Sequence, residues 1–446
     1  MKGVILSLAV AMYALVIAFQ GKKVIFTTAA AFIVIALAAL FPGDVFILPL
    51  GVSAGTAASR VFALTHSLCS LVNWNVVMIY LGSMAIASLF IYSKAPARIA
   101  GFIVNGSANS AAALVAILAM TGIISIFVEN VATVLVMAPI GLALCSSLKM
   151  NPTFFMIGLA VMSNLEGTAT LVGDPPSMIF AAFSGYGFND FFVHQGRASI
   201  FFVVQTGMIA GCVFFWFFFA SYRKNKIAVS AEKVISWMPF AFLLAMIVGL
   251  AAISFARISF DYASGTLTLA LGLVSLAWYK FCQKKSADDV WQVVHDLDWE
   301  TIFFLLGIFV VVGAIRETGL LDDLAAALST ITGGSKIAGF VVILAVSVAI
   351  SGFVDNVPYI IAMLPVASSM AAQANVSGEL FMFALLVGSC LGGNLTPFGA
   401  SANVVAMGIL KRQGYPMRFS GWLKTGVPFT LVTTAAAAAL LWFLWS

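Results

Sequence analysis

The stretch from Ser163 to Ser177, SNLEGTATLVGDPPS, lies inside an apolar segment long enough to enter a bilayer, yet two glycines and two prolines interrupt it. Proline lacks the N–H that a helix needs, and glycine readily adopts backbone outside the helical region. A broken helix at membrane depth is tolerated only where it faces protein or a water-filled cavity. The stretch therefore predicts a ligand site between two half-helices. The alternative is a plain helix end followed by a turn.

The same pattern occurs a second time near the carboxyl end. A shift of 226 positions from Ile124 to Gly173 gives 17 identities in 50 positions without a gap. The aligned pairs include Glu129 with Asp355, Asn130 with Asn356, Pro139 with Pro365, Gly167 with Gly393, Thr170 with Thr396, and Gly173 with Gly399. Two corresponding interrupted apolar segments in two halves of a chain are the sequence sign of a transporter binding site.

Composition places the chain in a membrane. Of its 446 residues, 62% are hydrophobic and 9% are charged, and the mean hydropathy is +1.09. The net charge of +5 therefore indicates basic residues in the loops on one side of the membrane, and not affinity for nucleic acid. The five cysteines and three histidines are scattered singly, which predicts neither a metal cluster nor a disulfide framework. No nucleotide-binding glycine motif or nucleophile elbow is present, so we expect no ATP-driven pump and no enzyme.

Apolar runs bounded by charge, Pro or Gly predict an all-α polytopic protein with about ten transmembrane helices. Residues 1–222 form a first repeat, with a re-entrant hairpin at 111–147 and a broken helix at 154–183. A cytoplasmic linker follows at 223–236. Residues 237–446 form the second repeat, with a hairpin at 338–370 and a broken helix at 380–410. Each hairpin has two ordinary spans as its alternative.

Counting these segments predicts an inverted repeat. Each half crosses the membrane five times, and its hairpin returns to the side from which it entered. Because five is odd, the second half enters the membrane in the opposite orientation. With this topology six basic residues lie on one side: Lys2, Arg60, Arg197, Arg257, Arg316 and Lys336. The other 16 of the 22, Lys23 among them, lie on the opposite side, which the positive-inside rule makes cytoplasmic. We expect a bacterial inner (plasma) membrane protein with both termini periplasmic or extracellular.

Neutral polar side chains in the hairpins and broken helices are the candidates for solute binding. They are Asn130, Asn164, Thr168, Thr170, Ser177, Asn356, Asn394, Thr396, Ser401 and Asn403. Amide oxygens with nearby backbone carbonyls suit sodium, at Asn130 with Gly173 and at Asn356 with Gly399. No Lys or Arg falls in these segments, so an anionic solute would depend on helix dipoles and co-bound cations.

Four acids fall in the same membrane-embedded segments: Glu129, Glu166, Asp174 and Asp355. An unpaired acid at that depth is costly, so each is a candidate carrier of a proton or sodium ion. Helix capping is the alternative for the two hairpin acids and for Asp174, which precedes two prolines. Glu166 has Gly392 as its counterpart, and is either a coupling residue or a side chain facing water. Cys390 aligns with Asn164 and is either a packing residue or a soft ligand for arsenite.

At these residues the chain resembles the ion transporter superfamily, in the branch of arsenite permeases, the melanosomal P protein and citrate-type transporters. The resembling stretches are NLEGTATLVGDPP at 164–176, DNVP at 355–358 and LGGNLTPFGASAN at 391–403. The resemblance implies inverted repeats, two re-entrant hairpins, a homodimer and elevator-like movement of a transport domain against a scaffold. The dicarboxylate branch carries Ser-Asn-Thr at both hairpin tips, where this chain has Glu-Asn-Val and Asp-Asn-Val.

The leading hypothesis is a secondary transporter that exports a small inorganic solute of the arsenite or antimonite type against protons. One alternative is sodium-coupled transport of citrate, a dicarboxylate or sulfate, and another is sodium–proton exchange. A channel is a further alternative, distinguished by flux without saturation or gradient coupling. The expected partners are the solute, membrane lipid and a second copy of the chain. A proton or sodium ion is the expected coupling ion, with no other cofactor and no nucleic acid.

Overall fold

The computed structural model describes residues 1–19, 22–222, 232–258 and 260–446. Most of the predicted linker at 223–236 lies outside these ranges. The described part of the first half contains ten α-helices: α1 Lys2–Ala18, α2 Lys23–Leu40, α3 Ala57–Thr65, α4 Trp74–Tyr92, α5 Ala95–Gly106, α6 Ser110–Ser125, α7 Asn130–Ser147, α8 Thr153–Glu166, α9 Pro175–Ser184 and α10 Ile200–Phe218.

A short π-helical turn, His66–Ser70, extends α3, and a small antiparallel hairpin of β1 Val193–His194 and β2 Arg197–Ala198 precedes α10. The described part of the second half also contains ten α-helices: α11 Met238–Ala256, α12 Ala263–Phe281, α13 Ala287–His295, α14 Trp299–Glu317, α15 Leu320–Thr332, α16 Lys336–Ser351, α17 Asn356–Gln373, α18 Gly378–Gly392, α19 Ser401–Arg412 and α20 Phe419–Trp445. The protein is therefore predominantly helical, as predicted.

The helix bounds reproduce the register of the sequence duplication. Both ends of α16 and of α17 equal those of α6 and α7 shifted by 226. The starts of α6 and α16 are capped at equivalent positions, since Asn109 accepts the N–H of Ala112 and Ser335 accepts that of Ala338. The two helix pairs, 110–147 and 336–373, and the two broken helices begin and end within three residues of the predicted outer bounds. The apolar runs and their breaks thus determine the helix bounds.

Seven helical segments among the described residues are long and apolar enough to cross a membrane. Five further apolar helices are shorter, and these include α6, α8, α16 and α18. The windows in α2 and α11 are only 28% buried within the protein, and large apolar side chains such as Phe32 and Val248 are more than half exposed. In an apolar helix such exposure is explained by contact with lipid. The chain is an integral membrane protein.

The centre of the molecule is built from the first parts of the broken helices. Every residue from Phe155 to Glu166 in α8 and from Leu380 to Gly392 in α18 is buried. Helices α6 and α7 pack on α8, and α16 and α17 pack on α18. A second group pairs α4 with α12 and α2 with α14. Close approach in that group needs glycine, because a Cβ on Gly82 would overlap the backbone of Thr268.

Candidate functional site

Both helix breaks lie at equivalent places in the two halves. Helix α8 ends at Glu166 and α9 begins at Pro175, while α18 ends at Gly392 and α19 begins at Ser401. The two intervening segments, 167–174 and 393–400, differ by the same shift of 226. Prolines in the first turn of α9 need no N–H partner, which explains why a helix restarts there.

Hydroxyl and amide side chains hold the backbone of each break. Thr170 Oγ1 donates to the carbonyl of Ile126 at 2.5 Å, and Thr396 makes the equivalent bond to Gly352. One residue of each second half-helix also donates to the first residue of its break, namely Ser177 to Gly167 and Asn403 to Gly393. These side chains were predicted to bind solute. In this conformation they are buried and bonded to backbone carbonyls.

The two glycines that end the breaks are required by close backbone approach. A Cβ on Gly173 would overlap the carbonyl of Gly167 and lie 3.0 Å from the carbonyl of Ile126. A Cβ on Gly399 would meet Gly393 and Gly352 in the same way. Each break is therefore folded tightly against the helix pair that precedes it, and no side chain fits between them.

The acids between the paired helices cap the helices that follow. Glu129 accepts the N–H groups of Val131 and Ala132, both at 2.9 Å. Asp355 uses only Oδ1 for its cap, accepting the N–H of Val357 at 3.1 Å. The capping alternative therefore describes the geometry of both acids. Capping leaves the second oxygen of Asp355 available for another partner.

The two broken helices are joined by an amide cluster. Asn164 Nδ2 in α8 donates at 2.8 Å to Oδ1 of both Asn394 and Asn403. Asn164 is 2% exposed, and its own Oδ1 has no hydrogen-bond partner among the described residues. Buried polar atoms are normally satisfied. The amide oxygen of Asn164 is therefore a buried acceptor that is free to take a further hydrogen bond.

A cavity of about 50 Å³ lies where the breaks and the acids meet. Its described lining residues are Lys23, Tyr80, Glu129, Asn130, Asn164, Asp174, Pro175, Pro176, Asp298, Thr301, Phe304, Asp355, Asn356, Val357, Gly399, Ala400, Ser401 and Ala402. The structure thus brings together eight of the sixteen predicted site residues: Glu129, Asn130, Asn164, Asp174, Asp355, Asn356, Gly399 and Ser401. Both halves of the chain contribute to one site.

The expectation that no basic residue reaches the site is wrong. Lys23 was placed in a cytoplasmic loop, but its Nζ lies 2.8 Å from Oδ2 of Asp355 and 5.0 Å from the ring centroid of Phe304. Sequence reasoning failed because a lysine at the head of an apolar helix has the same pattern whether it faces solvent or a cavity. Only the packing of α2 beside α14 brings it here.

Asp298 and Tyr80 are further site residues that sequence reasoning missed. Asp298 caps α14 by accepting the N–H of Thr301 at 3.0 Å, and its Oδ2 accepts a 3.3 Å hydrogen bond from the Tyr80 hydroxyl. An acid just before an apolar helix looks like an ordinary cap. Nothing in the linear pattern indicates that this cap faces the two helix breaks.

The other predicted site residues lie outside the cavity: Glu166, Thr168, Thr170, Gly173, Ser177, Asn394, Thr396 and Asn403. Glu166 is fully buried, which excludes the interpretation of a side chain facing water. Its Oε2 accepts a 2.6 Å hydrogen bond from Gln205 of α10, and its Oε1 has no hydrogen-bond partner in the described part of the chain. Cys390 is also buried, beside Ser389. The proposed coupling role of Glu166 remains a prediction.

The charge around the cavity is strongly unbalanced. Glu129, Asp174, Asp298 and Asp355 face it, and Lys23 is the one basic side chain among its described lining residues. No three histidines, cysteines or acids in the described ranges are grouped so as to hold a metal ion. The described lining residues with oxygen-bearing side chains include these four acids and the amides Asn130, Asn164 and Asn356.

A larger cavity of about 900 Å³ opens elsewhere, between the loop before α4, the loop after α9 and the connection from α11 to α12. Its described lining includes Trp74, Tyr186, His194, Arg257 and Arg316. Helix α9 contributes to the walls of both cavities, with Pro175 and Pro176 in the smaller one and Met178 in the larger. Helix α9 therefore lies between the small acidic cavity and the larger one.

Apolar helices, paired helix breaks and a cavity shared by both halves define a membrane transporter. The model of the citrate transporter family, CitMHS, matches residues 13–388, and the chain belongs to this family of the ion transporter superfamily. The resemblance seen in the motifs is thereby confirmed. The relatives are transporters rather than enzymes.

Several relatives show how widely this architecture is shared. Two transporters of Mycobacterium tuberculosis, both described as uncharacterized, are 31% identical over 379 residues, covering 83% of this chain and 86% of theirs. The P protein of Sus scrofa is 23% identical over 389 residues, which cover 70% of this chain and 46% of that protein. The crystal structure of the Alcanivorax borkumensis YdaH transporter has a similar fold, with a TM-score of 0.62 at 13% identity, covering 94% of this chain and 97% of YdaH. The Neisseria gonorrhoeae MtrF structure has a TM-score of 0.58 at 14% identity, covering 93% and 94%.

Proposed function

We propose that the chain is a cation-coupled secondary transporter of a small solute. The observation that carries this proposal is the cavity at the helix breaks, where four carboxylates face one ammonium group. Ionised acids in a low-dielectric interior need compensating positive charge. A proton or sodium ion supplies that charge, so its binding depends on the ionised carboxylates of the cavity.

An arsenite- or antimonite-type solute suits the dimensions of the cavity. Its volume of about 50 Å³ accommodates an ion or a solute of a few atoms, whereas sites for drug-sized ligands usually occupy about 300–1,000 Å³. Arsenous acid, the neutral protonated form of arsenite, also needs no basic partner. Efflux against protons is the proposed mode, with the acids of the cavity as proton carriers.

Citrate is the second candidate, favoured by membership of the citrate transporter family. A polyanion entering an acidic cavity is repelled unless cations enter with it. Sodium bound by Asn130 or Asn356 together with carbonyls of the breaks would provide those cations. Citrate is also larger than the cavity in this conformation, so its binding requires the cavity to open towards one side.

The proposed mechanism is alternating access by an inverted repeat of 1–222 and 237–446. The matched bounds of α6–α7 and α16–α17 support this proposal, as do the equivalent bonds of Thr170 and Thr396. In this proposal the two helix pairs are re-entrant hairpins. They move with the broken helices, in the manner of an elevator, against a scaffold that contains α2, α4, α12 and α14. We further propose a homodimer with both termini outside.

A flux panel in proteoliposomes tests the function. Purified protein is reconstituted and presented with arsenite, antimonite or citrate, each crossed against an imposed sodium gradient and an imposed pH gradient. We expect saturable flux that one of the two gradients drives uphill. Protein-free vesicles and the Asp355→Asn variant are the controls.

Each outcome separates one hypothesis from another. Proton-driven arsenite or antimonite flux supports the first candidate, and sodium-dependent citrate uptake supports the second. Sodium flux that depends on pH and needs no other solute indicates sodium–proton exchange. Flux that does not saturate and is not coupled to the sodium or pH gradient would indicate a channel and overturn the proposal.

A further inference from the structure

Lys23 and Asp355 form an ion pair on the wall of the acidic cavity. The two groups are 2.8 Å apart, with side chains 14% and 26% exposed. Lys23 also lies over the ring of Phe304, so its ammonium is held from two directions. A buried lysine in such a position is costly unless a carboxylate compensates it.

The pair joins two helices whose main packing partners differ. Lys23 begins α2, which packs on α14 and α1. Asp355 is the N-cap of α17, which packs on α18 and α15. A second bond spans the same boundary, since the Tyr13 hydroxyl of α1 donates at 3.2 Å to the carbonyl of Pro358 in α17. Movement of α17 relative to α2 therefore breaks the ion pair.

Among the described residues, the equivalent acid in the first half is bonded to backbone N–H groups and not to a lysine. Both carboxylate oxygens of Glu129 accept backbone N–H groups of its helix. In Asp355 one oxygen accepts a backbone N–H group and the other contacts Lys23. The duplication thus supplies an internal comparison. The lysine is an addition to the cap of Asp355 and is not needed to build that cap.

We propose that Lys23 is a built-in counter-ion, which occupies at Asp355 the place that the coupling cation takes during transport. Binding of the cation and formation of the Lys23–Asp355 pair are then mutually exclusive, because one carboxylate oxygen serves both. In this conformation Lys23 occupies the Oδ2 atom of Asp355. This inference rests on the proposed cation coupling and names the residue that competes with the cation.

The first test measures competition. In proteoliposomes, the half-saturating concentration of the driving cation, sodium or proton, is determined for wild type, Lys23→Gln, Lys23→Arg and Lys22→Gln. Lys23→Gln removes the competing ammonium group and should lower this concentration about tenfold. The reason is that two cations on one carboxylate repel each other strongly in a low-dielectric site. Lys23→Arg keeps the charge and should stay near wild type. Lys22→Gln removes the same charge from the exposed neighbour and should change nothing.

The second test needs no variant and therefore does not depend on Lys23→Gln folding. A carbodiimide joins an amine to a carboxylate in contact with it, and the Lys23–Asp355 cross-link is quantified by peptide mass spectrometry in sodium chloride and in choline chloride. We expect sodium to reduce the yield if sodium is the driving cation. The surface pair Lys94–Glu232, at 3.1 Å and about half exposed, is the internal standard and should cross-link equally in both salts. If protons drive the flux, the yield of the Lys23–Asp355 cross-link relative to that of the standard is measured as a function of pH.

The outcomes distinguish the inference from the function on which it rests. If neither cation drives flux in wild type, the proposed function fails. If wild type is coupled but Lys23→Gln keeps the wild-type half-saturating concentration, the inference alone is overturned. A cross-link yield that the driving cation leaves unchanged would also overturn it.

Discussion

Asn164 of α8 donates one amide group to the side-chain oxygens of both Asn394 and Asn403, at 2.8 Å each. Asn164 lies in the first half of the chain and Asn394 and Asn403 in the second, and all three are buried. This cluster ties the first broken helix to the second at the wall of the acidic cavity. The two helix breaks are therefore parts of one site and not two independent irregularities.

The amide cluster should contribute to stability. Asn164→Leu leaves the buried acceptors of Asn394 and Asn403 without their donor, at an expected cost of about 1–3 kcal/mol. Thermal unfolding of the purified protein in detergent measures the loss. Gln413→Leu, at an exposed amide after α19, is the control and should change stability by less than about 0.5 kcal/mol. An unchanged midpoint in Asn164→Leu would mean that water replaces the cluster.

The glycine at the end of the first break should tolerate no side chain. Gly173→Ala places a Cβ against the carbonyls of Gly167 and Ile126, so we expect a fall in the unfolding temperature and loss of transport. The matched control is Gly408→Ala in α19, where a Cβ meets nothing within 4 Å. That change should be neutral or stabilise by up to about 1 kcal/mol. Wild-type behaviour of Gly173→Ala would contradict the tight packing of the break.

The two equivalent threonines should behave alike. Thr170→Val and Thr396→Val each remove a hydroxyl that donates to the carbonyl of the preceding helix pair, Ile126 or Gly352. Each should cost about 1 kcal/mol, the usual net value of one intramolecular hydrogen bond. Unfolding measurements on the two variants and the double variant check this. A large effect from only one of them would show that the two breaks are not energetically equivalent.

Variants of the two capping acids should distinguish a role in folding from a role in ion coupling. Asp355→Asn keeps an effective N-cap but removes the charge that faces Lys23, so we expect a folded protein whose gradient-driven flux falls about tenfold or more. Glu129→Gln loses one of its two backbone bonds and should be destabilised by about 1 kcal/mol. Parallel unfolding and flux measurements on both variants test the contrast. Full coupled flux in Asp355→Asn would reduce that residue to a helix cap.

Sequence reasoning found the breaks because their signal is local. Gly173, Pro175 and Pro176 prevent a continuous helix whatever surrounds them, and the duplication shows that Gly399 plays the same part. The same reasoning missed Lys23, Asp298 and Tyr80. Their roles depend on which helices become neighbours, and a capping acid or a flanking lysine has no distinctive local pattern.

The sequence by itself determined that the chain is helical, embedded in a membrane, duplicated and interrupted at two equivalent places. Hydrophobic length, proline and glycine act through backbone chemistry that needs no tertiary context. The tertiary structure alone decided which polar groups face the cavity. It assigned Thr170 and Ser177 to the backbone of the breaks, and it brought Lys23 of α2 against Asp355 of α17. The physical reason is that the electrostatics of a buried site depend on distances between helices that lie far apart in the chain.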